Sequence, residues 1–111
     1  VAGVPPAYLT NHFEPVRDAM GARFRVKAHL RSKVDFARLN LMSSWPMKGP
    51  FDAIFCRNVM IYFEKSFQEE LVNRLYGLLR PKGILVIGSA ESLTNRAHRF
   101  EYLEPAIYRR P

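Results

Sequence analysis

The chain has 111 residues, 48% of them hydrophobic and 13% aromatic, with a formal charge of +7 and one cysteine. That balance excludes a disordered or collagen-like chain and allows a real but small core. The lone Cys56 excludes an internal disulfide, and the longest apolar runs fall well short of the ~18 residues that suggest a membrane span.

The N-terminus lacks the basic-then-apolar pattern of an export signal, so a reducing cytoplasm is the expected compartment. With no initiator Met, the chain is expected to begin inside a longer product. The charge is uneven. Between residues 23 and 38, Arg23, Arg25, Lys27, Arg31, Lys33 and Arg38 face only Asp35, which places +5 of the +7 in that stretch. Such a stripe suits an anionic partner or simply a solvated strand face.

In chain order, Pro5-Pro6 opens a short helix near 6–13, and Pro15 prevents its extension. Phe24, Val26, Ala28 and Leu30 alternate with Arg23, Arg25, Lys27 and His29, which reads as a half-buried strand. The polar Arg31-Ser32-Lys33 allows a reversal, so 24–39 is predicted to be an antiparallel hairpin with one basic face. "MSSWPMKGP" (42–50) is a connection. Phe51–Cys56 reads as a strand covered on both faces. Ser66 and Glu69 have the spacing of a capping box, and Phe67, Leu71, Leu75, Leu78 and Leu79 then form the stripe of a helix running to Arg80. Pro81-Lys82-Gly83 suits a type I turn into a second apolar run, Ile84–Ile87. Strand, helix and strand make a crossover unit with a parallel pair. The last segment, "FEYLEPAIYRR", offers two short strands around Glu104-Pro105.

Ligands of open α/β sheets sit beyond the carboxyl ends of the parallel strands. Two such ends exist, Arg57-Asn58 and Gly88-Ser89-Ala90-Glu91. The local alternative is that Asn58 closes a turn and Arg57 pairs with an acid such as Glu91. His12, His29 and His98 lack ligand spacing, so no metal site is expected. The six glycines never cluster into a phosphate loop. Cys56 reads as a packed strand residue.

"FDAIFCRNVMIYF" (51–63) followed by "LLRPKGILVIGSAESL" (78–93) resembles the C-terminal half of the CheR-type chemotaxis receptor methyltransferases, which methylate receptor glutamates from S-adenosylmethionine. The resemblance runs from about Ala7 to Arg109 and is most specific over Phe55–Phe63. It implies an α/β fold: the C-terminal half of a Rossmann-like methyltransferase sheet, family strands 4, 5, 7 and 6 with 7 antiparallel, plus an N-terminal antiparallel hairpin. It divides the chain into a β-subdomain remnant, 1–40, and half a methyltransferase domain, 41–111.

By position, the resemblance makes Asn40, Leu41, Arg57 and Asn58 cofactor contacts. Tyr62 stands close to the transferred methyl, and Arg57 is paired with it as a catalytic candidate. Gly88–Glu91 matches a Gly-His-Ser-Glu-like motif, with Ser89 in place of the histidine. S-adenosylmethionine is the implied cofactor and S-adenosylhomocysteine the product. The implied partner is a receptor cytoplasmic domain, with its C-terminal tail adding to the basic hairpin as a further strand. The family's Gly-rich cofactor loop lies upstream of Val1, so the isolated 111 residues are expected to be inactive and to bind the cofactor weakly. They are also expected to dimerise through an exposed edge at 52–56. The competing readings are a receptor-tail-binding module without catalysis, a basic nucleic-acid-binding domain, which the lack of interleaved aromatics opposes, and a small-molecule methyltransferase.

Overall fold

The computed structural model describes residues 4–18 and 21–111, which fall into two compact units, 1–39 and 40–111. In the first unit, α1 (Pro6–His12) has proline in its first turn, where the missing N–H costs nothing. It leads directly into β1 (Phe13–Asp18), which pairs antiparallel with β2 (Gly21–Val26). The short helix was anticipated; the hairpin is not the expected one. Only the first part of 24–39 is a strand, and its partner lies upstream. Glu14 stands opposite Arg25 in the register and binds its Nε at 2.8 Å, a cross-strand ion pair that favours this pairing. Pro15 is tolerated because each strand of a two-stranded sheet has a free edge. After Val26 the chain coils into α2 (Ala28–Arg31), where Ala, Leu and Arg are good helix formers, and 34–40 has no regular structure. Residues 19–20 lie outside the described residues.

The second unit is a four-stranded mixed sheet with one long helix. β3 (Phe51–Cys56) runs parallel to β4 (Leu79–Ile87), joined by α3 (Lys65–Leu78). β5 (Glu101–Glu104) and β6 (Ile107–Arg109) form the expected hairpin, and the order β3-β4-β6-β5 places β6 antiparallel beside β4. This is the order and polarity anticipated for the methyltransferase half-sheet.

The register explains the core. Ile54 pairs with Leu85, Cys56 with Ile87 and Leu85 with Tyr108, so these side chains share one face. They pack against Leu71, Val72 and Leu75 of α3, with Met60, Leu79, Leu93 and Phe100 completing the cluster. β3 is not covered on both faces as its apolar run suggests. It is an edge strand, and Phe55, on the face away from the core, is 71% exposed.

Three local expectations also fail. The capping box does not form: α3 begins at Lys65 after Glu64, with no side-chain cap, so Ser66 already lies inside the first turn and cannot serve as the cap. The helix stops at Leu78, short of Arg80. Arg110 reaches in to donate Nη1 to the Tyr76 and Leu79 carbonyls and stacks 4.6 Å from the Tyr76 ring. Lys82 takes a φ of 69°, which excludes a type I turn, and its N–H pairs with the Arg110 carbonyl at 2.8 Å.

Candidate functional site at the carboxyl ends of the parallel strands

β3 ends at Cys56, and the chain then makes a sharp turn through Arg57 and Asn58 into a 3₁₀ turn, Met60–Tyr62. Asn58 has φ 60°, a left-handed conformation in which asparagine is several-fold enriched over most residues. The turn is therefore written locally by residue type. Its closure is not local. Glu91, just past the end of β4, is buried; its Oε1 accepts the N–H of Asn58 at 2.9 Å and of Gly88 at 2.7 Å. Its Oε2 accepts the Ile61 N–H at 3.2 Å. One carboxylate thus joins the end of β3, the end of β4 and the 3₁₀ turn.

Arg57 is exposed, and its guanidinium has no hydrogen-bond or ion-pair partner among the described residues. The alternative in which it pairs with Glu91 is not realised; backbone N–H groups occupy that carboxylate instead. The Asn58 side chain is also exposed and lies over Gly88. A β-carbon on Gly88 would collide with Asn58 Oδ1 and stand 2.7 Å from Glu91 Oε1 and 2.9 Å from the Asn58 nitrogen. The glycine is needed for space. Tyr62 ends the 3₁₀ turn with 80% of its surface exposed.

Asn40 and Leu41 sit elsewhere in the same unit. Asn40 Oδ1 accepts the Met42 N–H at 3.0 Å, closing an Asx turn. Leu41 is half-buried against the core, and its carbonyl accepts Trp45 Nε1 at 3.1 Å and Arg74 Nη1 at 3.0 Å. Among the described residues, no hydrogen bond or ion pair links this pair to Arg57 and Asn58. What the structure brings together is Arg57, Asn58, Gly88 and Glu91, with Tyr62 on the adjoining turn.

Glu91 was placed at the mouth of the site by sequence, as part of Gly88–Glu91, but was given no role among its catalytic or cofactor-binding residues. Beyond the motif match, its signal is a carboxylate among small residues directly after a buried strand. It also changes its neighbour: burial first, and then the charge of Glu91, push the Cys56 thiol above its ordinary 9.0. Beside it a cavity of about 140 Å³ opens among Met60, Ile61, Val72, Glu91, Leu93 and Arg96. Arg96 is held there by Gln68, whose Oε1 accepts its Nε at 2.9 Å. Gln68 in turn donates to the Met60 carbonyl at 2.6 Å and the Phe63 carbonyl at 2.9 Å.

Among the described residues there is no group of three or more His, Cys, Asp or Glu placed to hold a metal, and no helix long and apolar enough to cross a membrane.

Residues 1–108 match the family described as CheR methyltransferase, SAM binding domain. The chain is 38% identical over 103 residues to chemotaxis protein methyltransferase 1 of Pseudomonas aeruginosa, covering 92% of this chain and 36% of that protein. It is 45% identical over 85 residues to the chemotaxis protein methyltransferase of Escherichia coli, covering 76% and 30%. A probable chemotaxis protein methyltransferase of Rhizobium etli is 38% identical over 107 residues, covering 96% and 40%. The chain therefore spans roughly a third of the length of these relatives. With its half-sheet order, its Arg57-Asn58 turn and a match over nearly its whole length, the chain belongs to the CheR methyltransferase family, in the S-adenosylmethionine-binding domain.

Proposed function

We propose that this chain forms part of a protein-glutamate O-methyltransferase that modifies the cytoplasmic domains of chemotaxis receptors, with S-adenosylmethionine as methyl donor. The observation that carries the reading is the unpartnered Arg57 guanidinium beside the exposed Asn58, at the carboxyl end of β3 where α/β sheets take their ligands. Family membership gives that position its chemistry.

The residues present fit the cofactor. Arg57 offers an exposed, unpartnered cation that suits a carboxylate. Asn58 and Asn40 offer amides that both donate and accept, and Leu41 adds apolar surface. S-adenosylmethionine supplies an electrophilic methyl carried on a sulfonium. In this reading Arg57 and Asn58 hold the cofactor, with Asn40 and Leu41 forming a second contact. Tyr62 borders the reacting centre and Arg57 helps place the incoming carboxylate. A glutamate is already ionised at neutral pH, so no general base is required of this chain. Alignment and exclusion of water are what its residues contribute.

Residues 1–40 are proposed as a separate receptor-facing module and 41–111 as the methyltransferase part. The free edges of the β1–β2 pair suit addition of a receptor's C-terminal tail as a third strand. The exposed edge of β3, with Phe51 and Phe55, suits pairing with a second copy when the 111 residues are isolated. The cytoplasm is the compartment this substrate requires.

The test is calorimetric titration of S-adenosylhomocysteine into the complete natural protein, alongside transfer of a labelled methyl to a receptor cytoplasmic domain. Binding and base-labile labelling of glutamates support the reading; a protein that binds receptor tails but not the cofactor would instead be an interaction module.

A further inference from the structure

We infer that Glu91 is the positioning residue of this site: its carboxylate sets Arg57-Asn58 and Tyr62 in one fixed arrangement. The inference rests on the cofactor reading above and extends it to a group that would not itself touch the cofactor.

A buried carboxylate is costly to desolvate, and charges in such places are normally paired with a cation. Among the described residues Glu91 has no ion pair. Its charge is met by three backbone N–H groups, at 2.7 Å from Gly88, 2.9 Å from Asn58 and 3.2 Å from Ile61. Two of these donors lie 33 and 30 residues upstream. They are also groups the backbone leaves without ladder partners. Asn58 comes after the last residue of β3, and Ile61 is in the first turn of a 3₁₀ segment, where N–H groups have no partner within the turn. One acceptor oxygen on a neutral side chain could serve two of them. Serving all three from opposite sides takes both oxygens of a carboxylate.

The consequence is a mechanical link. The Asn58 N–H bond holds the left-handed turn, from which the Arg57 and Asn58 side chains project into solvent. The Ile61 N–H bond holds the 3₁₀ turn that presents Tyr62. Gly88 closes the arrangement from β4, since its amide shares Oε1 with Asn58. Misplacing reacting groups by about 1 Å costs roughly 100-fold in rate, so a group that fixes both sides of the site governs turnover without contacting substrate.

Glu91→Gln keeps size and shape but replaces one acceptor oxygen with a donor. In the ¹⁵N-labelled complete natural protein without ligand, this change is expected to shift the amide signals of Gly88, Asn58 and Ile61 while leaving those of β5 and β6 in place. Affinity for S-adenosylhomocysteine is expected to fall about tenfold or more and kcat about 100-fold. Arg57→Ala should then cost much less in the Glu91→Gln background than in the wild type, because the two act through one arrangement. Wild-type affinity in Glu91→Gln, or fully additive costs, would overturn the positioning role alone. Failure of the wild type to bind S-adenosylhomocysteine would overturn the cofactor reading, and the ligand-free amide signals distinguish the two failures. Should Glu91→Gln not fold, titration of the wild type decides the matter: Gly88 and Ile61 amides moving together with Asn58 supports the link, and a response confined to Asn58 overturns it.

Discussion

The side-chain oxygen of Asn58 occupies the space where a β-carbon of Gly88 would lie, so the turn after β3 and the end of β4 meet without room for a methyl group. Gly88 has no positive φ, so its requirement is steric rather than conformational. Gly88→Ala is therefore predicted to destabilise the protein by at least about 3 kcal/mol, the upper part of the range for overpacking, because one of the atoms met is backbone and cannot rotate away. Urea unfolding measures it; a loss below about 1 kcal/mol would mean the two segments separate easily.

Asn58 separates conformation from contact. Its N–H is bound by Glu91, whereas its side chain has no hydrogen-bond partner among the described residues. Asn58→Gly keeps the left-handed turn and is predicted to stay near wild-type stability while weakening cofactor affinity. Asn58→Ala is predicted to lose about 1 kcal/mol of stability as well, since alanine pays the left-handed penalty. Thermal unfolding together with S-adenosylhomocysteine titration of both variants resolves the two effects.

Much of this architecture can be read from residue order. The β3–α3–β4 unit follows from two short apolar runs flanking a helical stripe, and the β5–β6 hairpin from apolar pairs around Glu104-Pro105. The reading failed where a pattern fits more than one partner. Alternation over 24–30 marks a strand but does not say what pairs with it; the Glu14–Arg25 charge pair across the β1–β2 register was the available signal. The capping-box spacing at Ser66 and Glu69 misled because the helix starts at Lys65, one residue before Ser66, and helix ends are the least legible feature of a local window. Position alone put Arg57 and Asn58 at a strand end, where they stand. That Glu91 organises the turn could not be read, because it depends on chain segments 33 residues apart closing on one another.

Tyr62 is 80% exposed and its hydroxyl has no partner among the described residues, so Tyr62→Phe is predicted to leave stability unchanged. If the ring face rather than the hydroxyl serves a cationic sulfonium, Phe retains turnover within a few-fold, while Ala loses roughly tenfold. A loss in Tyr62→Phe as large as in Tyr62→Ala would move the role to the hydroxyl.

The Cys56 thiol is held above its ordinary 9.0, first by burial and then by Glu91. Its protonated form is therefore favoured by folding. That contribution to stability is complete below the ordinary thiol value and is lost as pH rises above it. Alkylation of the native protein at pH 7–8 is predicted to be much slower than in urea, and Glu91→Gln should bring the onset of reaction to lower pH. Rapid native-state labelling at neutral pH would contradict the burial of this thiol.

The most direct test of the account is a crystal structure of the complete natural protein with S-adenosylhomocysteine. The Arg57 guanidinium and the Asn58 amide are predicted to lie within hydrogen-bonding distance of the ligand at the carboxyl end of β3. A ligand bound with both side chains still in solvent, or on another face of the sheet, would contradict it.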